Sequence, residues 1–277
     1  MSDILNVRDL RVAFPSRSGP VEVVRGVSFD LGRERLGIVG ESGSGKSQTG
    51  RAILGLTPPS GRVTAQRLEF EGIDLRGATP KLWRKLRGRR MSMVMQDPKF
   101  SLNPVMTIGR QIVEACRRQD GVGKAEAKDR AMAMLEGVQI RDPGRVYNAY
   151  PHELSGGMGQ RAMIAMMLIT EPDLMIADEP TSALDVTVQL DVLRILDDLV
   201  SDRGMGLIFI SHDLRLVSSF CDRVLVMYAG RMVEELKASE LNQAQHPYTR
   251  GLLNCLPQID GNRHPLPTLK RDPAWLA

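Results

Sequence analysis

The chain is poor in aromatic residues, cysteines and long apolar runs. Phe, Trp and Tyr make up 4% of its 277 residues, which argues against a surface that stacks on sugars or bases. Cys116, Cys221 and Cys255 lack the spacing of metal ligands, so neither a zinc site nor a disulfide framework is expected. The longest apolar run, residues 162–169, is too short to cross a bilayer, and the first residues lack the pattern of a secretory signal. Work at a membrane would therefore require docking onto another chain.

Charge is nearly balanced along the chain. There are 37 Lys and Arg against 33 Asp and Glu, for a net charge of +4. The two signs are interleaved, which favours a solvated surface over a nucleic-acid-binding one. One short basic stretch stands out: Arg84, Lys85, Arg87, Arg89 and Arg90. Such stretches are usually solvated, with contact to lipid headgroups or nucleic acid as the alternative. We expect no nucleic-acid partner.

The order of the apolar patterns predicts an α/β fold. Residues 5–14 and 27–31 largely alternate, which indicates strands with one buried face, and residues 62–75 also have a strand-like pattern. Helices are predicted over 46–56 and 186–200. Buried strands that alternate with helices indicate a parallel sheet covered on both faces. The apolar runs that predict these strands are 36–39, 91–95, 174–177, 207–210 and 224–228.

A long helical stretch interrupts this alternation. Residues 100–169 have charged helical faces and few β-branched runs, so we expect an inserted helical subdomain. After Leu241 the chain is rich in proline, which indicates an irregular extension with about one helix. We therefore expect one domain over residues 1–240 and a C-terminal extension over 241–277.

A glycine-rich segment carries the clearest chemistry. Residues 40–47 fit the pattern G-x-x-x-x-G-K-[ST] between a predicted strand and a predicted helix. Such a loop surrounds phosphate oxygens with backbone N–H groups at a helix N-terminus. Lys46 should reach the β- and γ-phosphates, and Ser47 should ligate Mg²⁺. The nucleotide-binding candidates here are Gly40, Glu41, Ser42, Gly43, Ser44, Gly45, Lys46, Ser47 and Gln48.

Two carboxylates follow the apolar run at 174–177. We expect Asp178 to reach the Mg²⁺ side of the phosphate loop, and Glu179 to orient and polarise the attacking water beside the γ-phosphate. The alternative is a strand end with two solvated acids. Two solvated acids are common at the end of an isolated strand, but the presence of a phosphate loop in the same chain favours the catalytic interpretation.

A second glycine-containing segment identifies the family. Residues 154–161 read Leu-Ser-Gly-Gly-Met-Gly-Gln-Arg, and Ser155 is a good N-cap for the helix expected next. The chain resembles the ABC ATPases, because this segment and five other motifs occur in the order found in that family. The other motifs are the phosphate loop, Gln96, Asp178-Glu179, the segment Ser182-Ala183-Leu184-Asp185 and His212. The resemblance implies a P-loop NTPase cassette with a RecA-like parallel-sheet core, an N-terminal antiparallel β part and the inserted helical subdomain.

The resemblance also implies roles for single residues. Ser155, Gly156 and Gly157 would face the nucleotide of a partner ATPase subunit. Asp185 would cross that dimer interface; its alternative is a helix N-cap. Three more residues would act at the chain's own nucleotide. Gln96 would contact Mg²⁺ or water, His212 would touch the γ-phosphate, and Phe14 would stack on adenine, although a Phe on a strand is as often part of the core.

Within this family the chain is most similar to the peptide and nickel importer branch. The features that carry this are Gln96-Asp97-Pro98, residues 185–189 and residues 246–253. The resemblance implies an ATPase subunit of a multi-subunit importer, on the cytoplasmic face of the inner membrane. Its partners would be a second ATPase subunit that is related but different, two transmembrane permease subunits and, indirectly, an extracytoplasmic substrate-binding protein.

Short peptides are the expected substrate, with nickel or a nickel chelate as the alternative. A soluble ABC ATPase of DNA repair or translation is less consistent with the sequence, which has neither a coiled-coil insertion nor a second cassette. A small-molecule kinase would not need residues 155–160. Peptide-importing relatives often continue with a cysteine cluster that is thought to hold an iron–sulfur centre. Because only Cys255 lies in that region, we expect ATP and Mg²⁺ but no such cluster.

Overall fold

The structure is a computed structural model that describes residues 3–96, 101–118, 121–181 and 184–256, together with Asp272 and Trp275. These residues fall into two compact units. The catalytic-segment unit is Gly77–Ile208, and the phosphate-loop unit combines Ser2–Arg76 with Phe209–Ala277. Asp97, Pro98, Ser182 and Ala183, which belong to motifs quoted above, lie outside the described residues.

The described residues form strands and helices in the following chain order. The strands are β1 (Leu5–Phe14), β2 (Val21–Leu31), β3 (Arg35–Val39), β4 (Arg62–Thr64), β5 (Arg67–Phe70), β6 (Ile73–Asp74), β7 (Met91–Val94), β8 (Leu174–Asp178), β9 (Gly206–Ile210), β10 (Arg223–Tyr228) and β11 (Arg231–Lys237). The α-helices are α1 (Lys46–Ile53), α2 (Pro80–Leu86), α3 (Ile108–Cys116), α4 (Lys124–Gly137), α5 (Pro143–Asn148), α6 (Gly156–Leu168), α7 (Val186–Arg203), α8 (Leu214–Phe220) and α9 (Pro247–Asn254). Short 3₁₀ helices cover Pro151–Glu153 and Ala238–Gln243.

The phosphate-loop unit contains the predicted antiparallel sheet. Its strand order is β2-β1-β5-β6, and β4 also pairs with β1. Leu5 and Val7 are fully buried, and so are Leu10 and Val12. Asp9 adopts a positive φ of 49° where the register shifts against β2. This irregularity moves the apolar positions from odd to even numbers and keeps one face of β1 buried.

The same unit holds a parallel pair that leads into the glycine-rich segment. β3 pairs with β10 in parallel, and β11 pairs with β10 antiparallel. Ile38 and Val39 at the end of β3 are fully buried. The backbone N–H of Ser211, just after β9, donates to the carbonyl of Ile38 at 3.2 Å. The predicted strand before the phosphate loop is therefore confirmed.

The catalytic-segment unit combines strands with the predicted helical stretch. β7 pairs with β8 in parallel, and Gly206 at the start of β9 donates its N–H to the carbonyl of Asp173 at 2.8 Å. All five residues of β8 are buried. Helices α3 and α4 contact each other, and each of them also contacts α5 and α6. Gly109 of α3 fits against the ring of Tyr147, because an added Cβ would lie 2.3 Å from that ring.

Several details differ from the sequence-based expectations. The helix expected over 46–56 ends at Ile53, because Gly55 takes a φ of 59° and Leu56 donates its N–H to the carbonyl of Arg51 at 2.7 Å. This is a Schellman end, in which a left-handed glycine terminates the helix. Residues 62–75 form three short strands rather than one. Helices α2 and α8 and strand β11 were not expected from the pattern.

Candidate nucleotide-binding and hydrolysis site

The glycine-rich loop uses backbone conformations that favour glycine. Gly40, Gly43 and Gly45 have φ angles of 152°, 81° and 100°. An added Cβ would lie 2.1 Å from the Met227 carbonyl oxygen at Gly40, and 2.5 Å from the Val23 carbonyl oxygen at Gly45. At Gly43 an added Cβ would meet nothing within 4 Å. The two outer glycines therefore allow close backbone packing, whereas the middle one faces open space.

Lys46 crosses the inside of this loop. Its Nζ donates to the carbonyl oxygens of Gly40 at 2.8 Å and Glu41 at 2.9 Å, and it lies 3.5 Å from the Ser44 hydroxyl. The residue is 6% exposed. These contacts hold the positive charge at the centre of the loop, next to the start of α1.

The start of α1 suits an anion. Its N-cap is Gly45, no side chain caps it, and no acidic residue lies in its first turn. The first N–H groups of a helix lack intrahelical acceptors, and the helix dipole places partial positive charge there. Gln48 lies in the first turn of α1, and its buried Oε1, which has no hydrogen-bond partner among the described residues, is an acceptor and does not contribute to anion binding. The loop, Lys46 and the helix start therefore fit a polyphosphate.

Phe14 and His212 belong to the same unit. The Phe14 ring packs near Gly61, where an added Cβ would lie 2.7 Å from Phe14 Cε1. Phe14 is half-buried and His212 is exposed. His212 lies in the turn between β9 and α8. In that turn Asp213 donates its N–H to the Ser211 hydroxyl at 3.0 Å and caps α8 through Arg215 and Leu216.

The catalytic-segment unit brings two predicted site residues together. Gln96 Nε2 donates to Glu179 Oε2 at 2.8 Å, although the residues are 83 positions apart. Glu179 has a φ of 49°, a left-handed conformation that is uncommon for a residue with a Cβ. Asp178, which precedes it at the end of β8, is 3% exposed. Strain of this kind is frequent at functional sites.

The second glycine-containing segment, residues 154–161, supports the loop that follows Glu179. Ser155 caps α6 by accepting from the Met158 N–H at 3.4 Å, so its predicted N-cap role is confirmed. Gly156 faces open space. Gln160 is fully buried and donates from Nε2 to the Pro180 carbonyl at 2.8 Å. The sequence pattern places Gln160 in this segment but does not reveal its contact with Pro180.

Asp185 acts locally as a helix cap. Its Oδ1 accepts from the Val188 N–H at 3.1 Å at the start of α7. This is the alternative that the sequence left open. An exposed cap can also face a neighbouring subunit, so the cap and the interface role are compatible.

Comparison with known proteins identifies the family. The model of the ABC transporter family matches residues 24–182, more than half of the chain. This chain therefore belongs to the ABC transporter family, as the sequence resemblance predicted. It has the ATP-binding cassette fold and is an ATPase.

Curated relatives match almost the whole chain. The dipeptide transport ATP-binding protein DppD of Bacillus subtilis is 47% identical over 95% of this chain and 79% of its own length. The oligopeptide transport ATP-binding protein OppD of Escherichia coli is 44% identical over 98% of this chain and 80% of its own length.

Solved structures share the fold. A dimeric structure of the cassette MJ0796, described as a post-hydrolysis state bound to ADP and Pi, superposes with a TM-score of 0.75 at 25% identity, covering 84% of this chain and 98% of that chain. The structure of cbiO1 from Clostridium perfringens, described as part of the ABC transporter complex cbiONQ, gives 0.69 at 26% identity, over 88% and 92% of the two chains.

Two features are absent from the described part of the chain. Within it, no helix is both long and apolar enough to cross a bilayer. The same residues contain no group of three or more His, Cys, Asp or Glu side chains arranged to hold a metal ion. The expectation that the chain carries no iron–sulfur cluster stays a prediction.

Proposed function

We propose that this chain is an ATP-hydrolysing subunit of an importer for di- and oligopeptides. The observation that carries the proposal is the high identity to DppD and OppD over nearly the whole chain. Those proteins are named for dipeptide and oligopeptide transport, which favours peptides over nickel. The test is peptide uptake into vesicles that contain the permease pair and both ATPase subunits, with Ni²⁺ uptake measured in parallel. Nickel uptake without peptide uptake would contradict the proposal.

Binding of ATP is assigned to the phosphate-loop unit. Residues 40–48 form the phosphate-binding loop: backbone N–H groups that follow Glu41 and the Lys46 ammonium bind the phosphates, and Ser47 is a ligand for Mg²⁺. Phe14 stacks on adenine and His212 contacts the γ-phosphate. The fit of the loop to a polyphosphate supports this assignment, because glycines, a helix N-terminus and a buried lysine converge there.

Hydrolysis is assigned to Glu179. Its carboxylate takes a proton from the attacking water, and Gln96 fixes the carboxylate's direction through the 2.8 Å hydrogen bond. Asp178 and Gln96 are further ligands for Mg²⁺, which, when bound, supplies charge neutralisation at the transferring phosphoryl group. Gln160 holds the Pro180 carbonyl, and thereby the chain direction just after Glu179.

A second ATPase subunit completes the working site. Ser155, Gly156 and Gly157 contact the partner subunit's nucleotide, and Asp185 lies at the shared interface. The test is Ser155→Arg with Ser155→Ala as its matched control. Both remove the cap on Met158, which costs about 1 kcal/mol, but only arginine adds bulk at the exposed glycine face. We expect stimulated ATPase activity to fail with arginine and to persist with alanine. Equal activity in both variants would contradict a shared site.

The permease contact is assigned to the described part of residues 96–110. Gln111, which is 7% exposed, accepts from the Asn103 N–H at 2.8 Å and donates to the carbonyls of Asn103 and Met106 at 3.0 Å each. These three hydrogen bonds stiffen a turn on which Val105 is 78% exposed. A Val105→Cys variant should cross-link to a cysteine placed in a cytoplasmic loop of the permease. Exposed Val186→Cys serves as the control at another surface.

These partners place the chain at the cytoplasmic face of the inner membrane. An extracytoplasmic binding protein selects the peptide and reaches this chain only through the permease. Membrane fractionation with and without co-expressed permease subunits tests the location. The chain should sediment with membranes only when the permease is present.

A further inference from the structure

The side chain of Tyr248 reaches the phosphate loop from α9. Its hydroxyl oxygen accepts a hydrogen bond of 2.9 Å from the backbone N–H of Glu41. The two residues are 207 positions apart. Tyr248 is fully buried and is among the largest fully buried side chains among the described residues. The contact is therefore a defined tertiary hydrogen bond.

Tyr248 and Lys46 hold opposite edges of one peptide group. Tyr248 accepts a hydrogen bond from the Glu41 N–H, and Lys46 donates to the Gly40 carbonyl at 2.8 Å. This N–H and this carbonyl belong to the same peptide group. Because this group is planar, fixing the direction of its N–H also fixes the direction of its carbonyl. The tyrosine thereby orients an acceptor that places the Lys46 ammonium.

Tyr248 is itself held firmly. His246 Nδ1 accepts from the Tyr248 N–H at 3.2 Å and caps α9. Glu234 Oε1, on β11, accepts from the N–H of His246 at 3.1 Å. The Tyr248 ring lies 4.5 Å from that of Tyr228 and 5.7 Å from that of Trp275, measured between ring centroids. A buried ring with aromatic neighbours and a bonded tip has little freedom to move.

We propose that Tyr248 is a positioning residue for nucleotide binding, which anchors the first turn of the phosphate loop and through it Lys46. The proposal rests on the proposed binding of ATP by this loop. A loop that is already ordered does not lose conformational freedom when the nucleotide binds. Without the hydroxyl, part of the binding free energy must order the first turn.

The test compares Tyr248→Phe with the wild-type chain. The phenylalanine keeps the ring and removes the hydroxyl, and with it the hydrogen bond from the Glu41 N–H. The dissociation constants of MgATP and MgADP should therefore rise about three- to tenfold, as expected for the loss of one hydrogen bond. In the assembled transporter KM for ATP should rise by a similar factor with little change in kcat. Binding is measured by calorimetry on the full purified chain, and the melting temperature is recorded with and without nucleotide.

The matched control is Tyr228→Phe. It removes a hydroxyl from the same aromatic cluster, at a ring that contacts both Tyr248 and Trp275, and it should leave nucleotide affinity unchanged. His246→Ala is a second variant. It removes the hydrogen bond from the Tyr248 N–H to His246 Nδ1 but leaves the Tyr248 hydroxyl in place. It should raise the dissociation constants by a smaller factor than Tyr248→Phe.

The outcomes separate this inference from the proposed function. If the wild-type chain does not bind MgATP, the proposed function fails and the role of Tyr248 fails with it. If the wild-type chain binds MgATP and Tyr248→Phe binds it equally well, only the positioning role is overturned. A lower melting temperature with unchanged nucleotide affinity would show a purely structural tyrosine and would also overturn it.

Discussion

The phosphate loop and the turn at Glu179 both need left-handed backbone, but they obtain it differently. The loop uses glycine at each such position, namely Gly40, Gly43 and Gly45, whereas the turn uses Glu179 with a φ of 49°. Glycine adopts positive φ at little steric cost, and a residue with a Cβ is strained there by about 1–2 kcal/mol.

The difference follows from what each segment presents. The loop presents backbone N–H groups, and a side chain at Gly40 or Gly45 would collide with carbonyl oxygens. The turn must present a carboxylate, which glycine cannot supply. Strain is therefore accepted where a side chain is needed and avoided where only the backbone acts.

The largest expected effect is on the loop side of this comparison. Lys46→Ala removes the buried charge that is held by the Gly40 and Glu41 carbonyls. We expect MgATP affinity and turnover to fall together, so that kcat/KM falls further than it would if only one of the two were lost. Phosphate release by the assembled transporter and calorimetric binding are the measurements. The control is Lys85→Ala, at an exposed lysine of α2. Wild-type turnover in Lys46→Ala would contradict the assignment of Lys46 to phosphate binding.

The corresponding change at the turn should separate binding from chemistry. Glu179→Gln keeps an oxygen that can accept from Gln96 Nε2, but the amide cannot take a proton from water. We expect kcat to fall by about 10² to 10⁴ with MgATP binding retained. Single-turnover hydrolysis measures the first effect and calorimetry the second. Normal hydrolysis would mean that another group is the base.

The close packing at Gly40 can be tested by an added methyl group. Gly40→Ala places a Cβ 2.1 Å from the Met227 carbonyl oxygen, whereas Gly43→Ala meets nothing within 4 Å. Both positions have positive φ, so backbone strain affects both variants, and the collision adds to it only at Gly40. We expect Gly40→Ala to lower the free energy of unfolding by about 1–3 kcal/mol more than Gly43→Ala. Denaturant melts measure this, and equal destabilisation would contradict the packing argument.

The strain at Glu179 predicts a change of the opposite sign. Glu179→Gly removes the backbone strain of the left-handed conformation and should raise the free energy of unfolding by about 1 kcal/mol. The same change should abolish hydrolysis, because it removes the carboxylate. Glu171→Gly is a matched control, because Glu171 has a φ of 47° and should be stabilised similarly without loss of turnover. A destabilised Glu179→Gly would show that the carboxylate's contacts outweigh the strain.

The smallest effect concerns cysteine chemistry. Burial raises the pKa of the Cys221 thiol to about 12, and burial also raises the pKa of Cys116. The thiolate is the reactive form and is scarce below the pKa, so at pH 8 iodoacetamide should modify half-buried Cys255 first. Mass spectrometry after partial labelling measures the order. Rapid labelling of native Cys221 would contradict its placement against Gly37.

Local motifs explain why much of the candidate site was predictable. The phosphate loop, the strand before it and the cap at Ser155 depend on residues a few positions apart, so their pattern can be read in the sequence. The helix end at Ile53 was missed because Gly55 was not recognised as its terminator. The shift of phase at Asp9 and the break of residues 62–75 into three strands depend on pairing partners that a single strand does not reveal.

The sequence by itself determined the family, the order of most core strands and the chemical groups proposed for the site, because each is encoded in contiguous residues with a recognisable spacing. Only the tertiary structure decided which distant groups hold those residues in place. Gln96 meets Glu179 across 83 positions, and Tyr248 meets Glu41 across 207. The buried Tyr248 hydroxyl needs a hydrogen-bond partner once the core has packed, whereas the more exposed Gln96 and Glu179 meet because the fold brings their two strand ends together. In both pairs the partner is chosen by the fold rather than by the neighbouring sequence.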